Sequence, residues 1–379
     1  MLSGQRVTLL VLTLLVAACG GGGGGSSDSD NSNAGGGGSS GGGGPPPGPS
    51  QAQLEALGEK IFQDTNLSNP PGQSCETCHD PAAGFADPDS GVPVSEGVIA
   101  NRFGTRNSPT VSYAAFIPLF TQVNNGGNII SRGGHFLDGR QPRLEEQAQQ
   151  PFLSAIEMNM TDRDAVITAI QASTYAADFT AAFGADIFND VNDAYVRMSE
   201  AIAAFERSDA LSPFTSKFDQ RAAGSYTFTA AESAGEIVFD NVNCDRCHSV
   251  GGPDPIFTNF QYENIGVPAN SFVLANSMDA SATLVGNLFV DNGLGGVTLD
   301  ADDNGKFRTP TLRNAELTAP YMHNGVFNTL AEVIDFYNNP VRPTPEVAAN
   351  VTTQDVGNLG MTAQQMLDLE AFLLTLTDQ

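Results

Sequence analysis

Two short stretches constrain this chain more than anything else in it. Cys75-Glu76-Thr77-Cys78-His79 and Cys244-Asp245-Arg246-Cys247-His248 both read C-x-x-C-H and lie roughly 170 residues apart. Two thiols at that spacing can add to the two vinyl groups of one haem, and the adjacent histidine is then delivered to the iron as its proximal ligand. A zinc site would pair the two C-x-x-C units; the long separation, and a histidine belonging to each unit, argue against that. A thioredoxin-like pair would need neither the histidines nor a second copy. The sequence therefore predicts two covalent c-type haems. Cys75 and Cys78 attach the first, with His79 on its iron; Cys244 and Cys247 attach the second, with His248.

The remaining cysteine, Cys19, has a different job. Arg6 and the short apolar run Val7 to Val16 read as an export signal, too short to span a bilayer. Val16-Ala17-Ala18-Cys19 resembles a bacterial lipobox, which makes residues 1–18 a signal peptide and Cys19 the lipidated first residue of the mature chain. The stretch 19–50, nearly all Gly, Ser, Asn, Asp and Pro beyond the cysteine, cannot bury a core and is expected to be a flexible tether. Gly20 after the cysteine is not aspartate, which by resemblance to Gram-negative lipoproteins favours the outer membrane. The expected location is the periplasmic side, through a lipid anchor only.

The formal net charge of -26 argues against nucleic acid and anionic membrane surfaces as partners. It suits a cationic partner such as a small basic cytochrome. Capping boxes are legible at Thr229–Glu232, Thr329–Glu332 and Thr362–Gln365. Met366, Leu369, Leu373 and Leu376 form the apolar stripe of the last helix. Alternating strand patterns are rare, so the expected class is mostly α with long loops. A weak repeat places Gly58-Glu59 with Phe62 before the first motif and Gly235-Glu236 with Phe239 before the second. Two related haem domains follow, an N-terminal one at 51–215 and a C-terminal one at 216–379. The junction falls within 209–228.

Several further stretches occur in an ordered series. Leu57-Gly58-Glu59-Lys60-Ile61-Phe62 opens it. Arg106-Asn107-Ser108-Pro109-Thr110 follows the first motif, then Phe136-Leu137-Asp138-Gly139-Arg140 and Leu144-Glu145-Glu146-Gln147-Ala148. Arg308-Thr309-Pro310-Thr311-Leu312-Arg313-Asn314 and Ala319-Pro320-Tyr321-Met322-His323-Asn324-Gly325 come after the second. In this order, with two haem motifs, the chain resembles the di-haem cytochrome c peroxidase/MauG family over roughly residues 53–378. The resemblance implies two cytochrome c-like haem domains.

The resemblance also implies roles. Glu157 matches the family's distal acid–base, Gln147 a residue that positions peroxide or water, and Pro151 a residue packed over the same haem face. On residue type alone, the two polar ones read equally as solvated side chains. No histidine lies between His79 and His135, so the first iron is expected to keep an open position; His135 reads as a structural histidine, with ligation as the alternative. Tyr337 aligns with the sixth-ligand position of the second haem, where the MauG branch has tyrosine; Met322 is the runner-up. Because Leu330, Val333, Ile334 and Tyr337 share one helical face, core packing would also explain the tyrosine. Asn107 by its side chain, and Thr318 and Pro320 by their carbonyls, match a calcium site, against which stands ordinary loop hydrogen bonding. Leu137 stands where the family usually has tryptophan between the haems. The chain has no tryptophan, so any charge relay would need Phe136 or a tyrosine.

The expected activity is reduction of hydrogen peroxide with electrons from a small periplasmic cytochrome or another donor. A MauG-like oxidase modifying a partner protein and a non-enzymatic electron carrier are the competing expectations. Relatives are often dimers, which makes a homodimer possible.

Overall fold

The computed structural model describes residues 48–276, 283–285 and 288–379. The expected signal segment, Cys19 and the tether as far as residue 47 lie outside the described residues. The fold is mostly helical, as the sequence predicts. The helices used below are α1 (Gln51–Phe62), α2 (Leu144–Gln147), α3 (Arg163–Ala172), α4 (Val191–Glu206), α5 (Ala230–Asn241), α6 (Leu330–Asn338) and α7 (Ala363–Leu373). All three expected capping boxes are formed. Thr229, Thr329 and Thr362 each accept the backbone N–H three residues on, and Glu232, Glu332 and Gln365 reach back to the cap. Each box satisfies donors that a helix start leaves open.

Residues 48–379 pack around two principal apolar cores. In the first, α1 crosses α4: Leu57, Ile61 and Phe62 meet Tyr195, Met198 and Ile202. In the second, α5 crosses α7, and Val238 and Phe239 meet Leu369, Phe372 and Leu373. The two crossings use the same device. A Cβ on Gly58 would run into the carbonyl oxygen of Ala201, and one on Gly235 into that of Asp368. Glycine lets the helix backbones touch, and one turn later an aromatic pair fills the crossing. Phe62 and Phe205 have ring centroids 5.3 Å apart, and Phe239 and Phe372 5.4 Å apart. The weak repeat in the sequence is thus a repeated helix crossing.

The strands described are three short antiparallel pairs. Thr121–Asn125 pairs with Asn128–Arg132, Tyr262–Glu263 with Phe307–Arg308, and Thr283–Val285 with Leu288–Val290. The first is a hairpin turning through Gly126 and Gly127, both at positive φ, which glycine adopts without Cβ strain. No helix among the described residues is long and apolar enough to cross a membrane.

One buried cation ties segments from both halves together. The Arg313 side chain is fully buried and donates to both carboxylate oxygens of Asp219 at 2.8 and 2.9 Å and to the carbonyl of Pro255 at 2.7 Å. Its guanidinium lies 4.9 Å from the Tyr113 ring and 4.5 Å from the Phe214 ring. Tyr113 in turn donates to Asp378 at 2.8 Å.

Candidate haem sites and the residues around them

Each C-x-x-C-H motif folds as one tight turn, with the histidine N–H returning to the carbonyl of the first cysteine at 2.9 Å (His79 to Cys75, His248 to Cys244). Each imidazole is then held in the same way. His79 Nδ1 lies 3.2 Å from the carbonyl of Phe85, and His248 Nδ1 lies 3.0 Å from that of Phe257. Burial pushes both histidines below their usual range, His248 to about 4. The rings are therefore neutral near pH 7. A carbonyl can only accept, so the proton must sit on Nδ1. That leaves Nε2 with its lone pair, the form a metal needs.

The carbonyls are themselves positioned alike. Phe85 and Phe257 both have positive φ (58° and 54°). Thr110 Oγ1 donates to the Gly84 carbonyl at 2.6 Å, and Thr311 Oγ1 to that of Ile256 at 2.6 Å. The Ser-Pro-Thr at 108–110 and the Thr-Pro-Thr at 309–311 are thus paired braces for the two histidine seats. The backbone acceptors Phe85 and Phe257 escaped the sequence reading, because a carbonyl carries no side-chain identity; the repeated Pro-Thr was the available signal.

A cavity of about 370 Å³ opens beside the second motif, within the range of cofactor sites. Cys244, Cys247 and His248 line it, and so do Tyr337, Met322 and His323. Arg308 reaches it too. This guanidinium is buried, and its Nε has no hydrogen-bond partner among the described residues. An orphaned cationic donor beside two thiols and a neutral imidazole fits a porphyrin with its carboxylate substituents.

The other expected residues distribute as follows. Tyr337 lies on α6, where burial, and then Cys244 and Cys247, push its phenol up. All four residues of that face, Leu330, Val333, Ile334 and Tyr337, line the cavity, and Leu330 and Ile334 also belong to the second core. His323 is stacked on Phe307, with centroids 3.8 Å apart at 10°, and its Nε2 is 3.1 Å from Glu346 Oε2. Asn107, Thr318 and Pro320 all border the cavity. Asn107 N–H donates to the His323 carbonyl at 2.7 Å, and its Nδ2 to the Pro93 carbonyl at 3.2 Å. Leu137 lines the same cavity, and its carbonyl accepts the Arg308 N–H. His135 is buried with Arg308, Arg207 and Glu145 around it; burial first, then the two arginines, hold it at about 4.

Glu157 sits elsewhere, close enough to the first cysteine pair for its charge to raise both Cys75 and Cys78. Its backbone is fixed. Val98 N–H donates to the Glu157 carbonyl at 2.9 Å, and Gly97 packs so closely on the Ile156 carbonyl that a Cβ would not fit. Pro151 belongs to the same fold of chain, its carbonyl accepting from Ser154 and Met158 at 3.3 and 3.2 Å. Gln147, half-buried, ends α2 just before it.

At the edge of the same cavity, which Asp291 lines, is a charge network that the sequence did not reveal. Arg106 donates to Asp138 at 2.6 Å and to both oxygens of Asp291 at 2.7 and 2.8 Å. Burial opposes the Asp291 charge, but Arg106 more than offsets it and holds the carboxyl at about 2, below the ordinary 3.8. A depressed folded-state value contributes stability that is present above about pH 4 and lost as pH falls through about 2. The Asp291 share is on the order of 2 kcal/mol. Asp291→Asn is expected to flatten the acid limb of a stability-versus-pH curve in that window; an unchanged limb would show that the network does not govern it.

A family model described as di-haem cytochrome c peroxidase matches residues 52–227. The methylamine utilization protein MauG of Paracoccus denitrificans is 39% identical over 358 residues, covering 87% of this chain and 90% of the relative. This chain belongs to the di-haem cytochrome c peroxidase/MauG family. The cytochrome c551 peroxidase of Pseudomonas aeruginosa is a further relative, 30% identical over 82% of this chain and 78% of its own. Among solved structures, the di-haem peroxidase BthA of Burkholderia thailandensis superposes with a TM-score of 0.76 at 29% identity, covering 87% of each chain. As a di-haem cytochrome c peroxidase/MauG protein, the chain is an oxidoreductase with two covalent haem c groups. Cys75, Cys78 and His79 would hold one, and Cys244, Cys247 and His248 the other.

Proposed function

We propose that this protein reduces hydrogen peroxide at the first haem site, with electrons from a small periplasmic cytochrome passing through the second. The observation that carries this reading is the unlike surroundings of the two motifs. Glu157 stands beside the first cysteine pair on the same stretch of chain as Gln147 and Pro151. Tyr337, Met322 and His323 line the cavity of the second. Haem c, when bound, supplies an iron able to take a peroxide oxygen and to pass electrons. Glu157 moves a proton from one peroxide oxygen to the other through its carboxylate. The Gln147 amide orients peroxide or water, and Pro151 packs over the same face. At the second site Tyr337, together with His248, would hold the haem iron. His323 is engaged by Glu346 and Phe307, which removes it from competition.

The peroxidase reading has a direct test. Fully ferric protein, never pre-reduced, is expected to turn peroxide over at its steady rate from the first cycle. A strict need for prior reduction would refute the open first site. Tyr337 also supports a second reading, a MauG-like oxidase acting on a partner protein, although the absence of tryptophan removes one familiar route for the charge. A mass change in a co-purified partner after peroxide treatment would favour that reading. A non-enzymatic carrier would show neither activity.

The same proposal includes a calcium ion held by Asn107 Oδ1 and the carbonyls of Thr318 and Pro320. Oxygen ligands of this kind suit calcium, and Asn107 spends its Nδ2 on Pro93. Chelation is expected to alter both haem spectra and slow peroxide turnover, with recovery on adding calcium; spectra indifferent to chelator would exclude the site. It also includes two related haem domains meeting within residues 209–228, supported by the twofold helix crossing. The anchor at Cys19 on the outer membrane and a homodimer complete it. Palmitate labelling lost in Cys19→Ser tests the anchor, and light scattering tests the dimer.

A further inference from the structure

Glu206 is a buried carboxyl that the proposed reaction leaves unused. It closes α4 at 4% exposure, and its Oε2 has no hydrogen-bond partner among the described residues. Ser199, Ala203 and Glu206 share one face of that helix. This face packs against the chain around α2: Ala203 meets Leu144, and Ser199 Oγ accepts from Gln149 Nε2 at 3.2 Å. The next residue, Arg207, pairs with Glu145 at 2.7 Å, both partly exposed. Glu206 is also close enough to Cys75 for its charge to be the leading electrostatic influence on that thiol. The carboxyl therefore lies near a cysteine that would attach the first haem, on the face that packs against the helix ending in Gln147.

We propose that Glu206 takes up a proton when the first haem is reduced, so that electron entry is coupled to proton uptake in the dry interior beside that site. The proposal rests on the haem reading above. One electron converts the ferric centre, net charge +1 with its porphyrin, to a neutral ferrous one. One proton from water converts the Glu206 carboxylate to the acid. The charge of the buried region is unchanged, which avoids leaving an uncompensated anion at low dielectric. Peroxide reduction to two waters consumes two protons for two electrons, so a proton reservoir beside the site serves the same chemistry.

The surroundings are suited to this. Burial raises Glu206 to about 8, with Arg207 opposing and Glu145 adding to the shift; a positive ferric centre nearby would favour the carboxylate, and its neutralisation on reduction would let the proton in. Glu146 on α2 contributes a second buried carboxylate oxygen without a partner. The buried faces of α1 and α3, which also pack on α4, are apolar or glycine: Leu57, Gly58, Ile61 and Phe62, and Val166, Ile167 and Ile170. Arg207 and Glu145, paired with each other and partly exposed, are the charged side chains that act on the carboxyl.

Spectroelectrochemical titration of the mature, haem-loaded protein tests this. The midpoint potential of the first haem is expected to fall with rising pH across the neutral range. Glu206→Gln is expected to lose most of that slope at the first haem and leave the second haem's pH dependence unchanged. An unaltered slope in the variant would overturn the proposal. Reduction-induced infrared difference spectra of the wild type, with ¹³C-labelled glutamate, give an answer even if the variant is poorly made. A label-shifted protonated-carboxyl band that grows on reduction supports the proposal, and its absence overturns it. Failure of the haem reading itself is separately visible as missing thioether-bound haem in the haemochrome spectrum, and would take this proposal down with it.

Discussion

Replacing Glu157 by glutamine is expected to lower kcat/KM for peroxide by about 10²–10⁴-fold, the usual contribution of a positioned acid–base group. The substitution is nearly isosteric, and the features that place residue 157 belong to the backbone. The Val98 N–H bond to its carbonyl, the close approach of Gly97 and the Pro151 carbonyl that receives Met158 all survive it. What is lost is a carboxylate able to accept a proton and return it. Haem content, absorption spectra and unfolding midpoint are therefore expected to match the wild type while turnover collapses. Stopped-flow mixing with peroxide would separate the early reaction from electron supply. A fall of less than tenfold would remove Glu157 from the role and leave the first site without an identified acid–base.

Arg313→Ala is expected to destabilise the protein by about 3–5 kcal/mol, the cost of removing one partner from a buried ion pair. The guanidinium has no solvent exposure and two aromatic rings against it, so no water compensates Asp219 or the Pro255 carbonyl when it goes. Asp219 also caps its own helix through Ser216, so its loss of position spreads to that turn. Denaturant unfolding of the haem-loaded protein measures the effect. The exposed Arg197, paired with Asp193 and Glu200 at the surface, serves as a control whose truncation should cost no more than about 1 kcal/mol. Equal midpoints for wild type and Arg313→Ala would mean that this knot does not hold the two halves together.

What could be read in advance was local chemistry. The capping boxes at Thr229, Thr329 and Thr362 were legible because their donors and acceptors lie three residues apart. The Gly58 and Gly235 repeat was legible because each glycine is followed by a glutamate and, four residues on, by a phenylalanine, although the reason for it, a carbonyl from a partner helix, is visible only in three dimensions. Other features gave less warning. Arg106 meets Asp291 across 185 residues of chain, and nothing in either neighbourhood announces the other. Glu346 reaches His323 across 23 residues of loop and helix, again without a local signal. The hairpin at 121–132 went unforeseen even though Asn125-Gly126-Gly127-Asn128 is a reasonable turn signal. Its flanking strands, polar and largely exposed, lack the alternation that marks a half-buried strand. Residue roles around the haems came through family resemblance, since a glutamate in a turn and a glutamine at a helix end carry no signature of their own.

On the proposed reading, two similar halves divide the labour. Matching helix crossings and matching Pro-Thr braces build two equivalent histidine seats. The surroundings of the two motifs differ: the Glu157 carboxylate acts on the first cysteine pair, and the Tyr337 phenol on α6 lines the cavity beside the second.

An electron paramagnetic resonance spectrum of the resting, fully ferric protein addresses that division most directly. One high-spin signal from a first haem with a vacant position, together with one low-spin signal from a second haem altered by Tyr337→Phe, is the expected result. Two low-spin signals, neither of them sensitive to Tyr337, would contradict it and leave an electron carrier in place of a peroxidase.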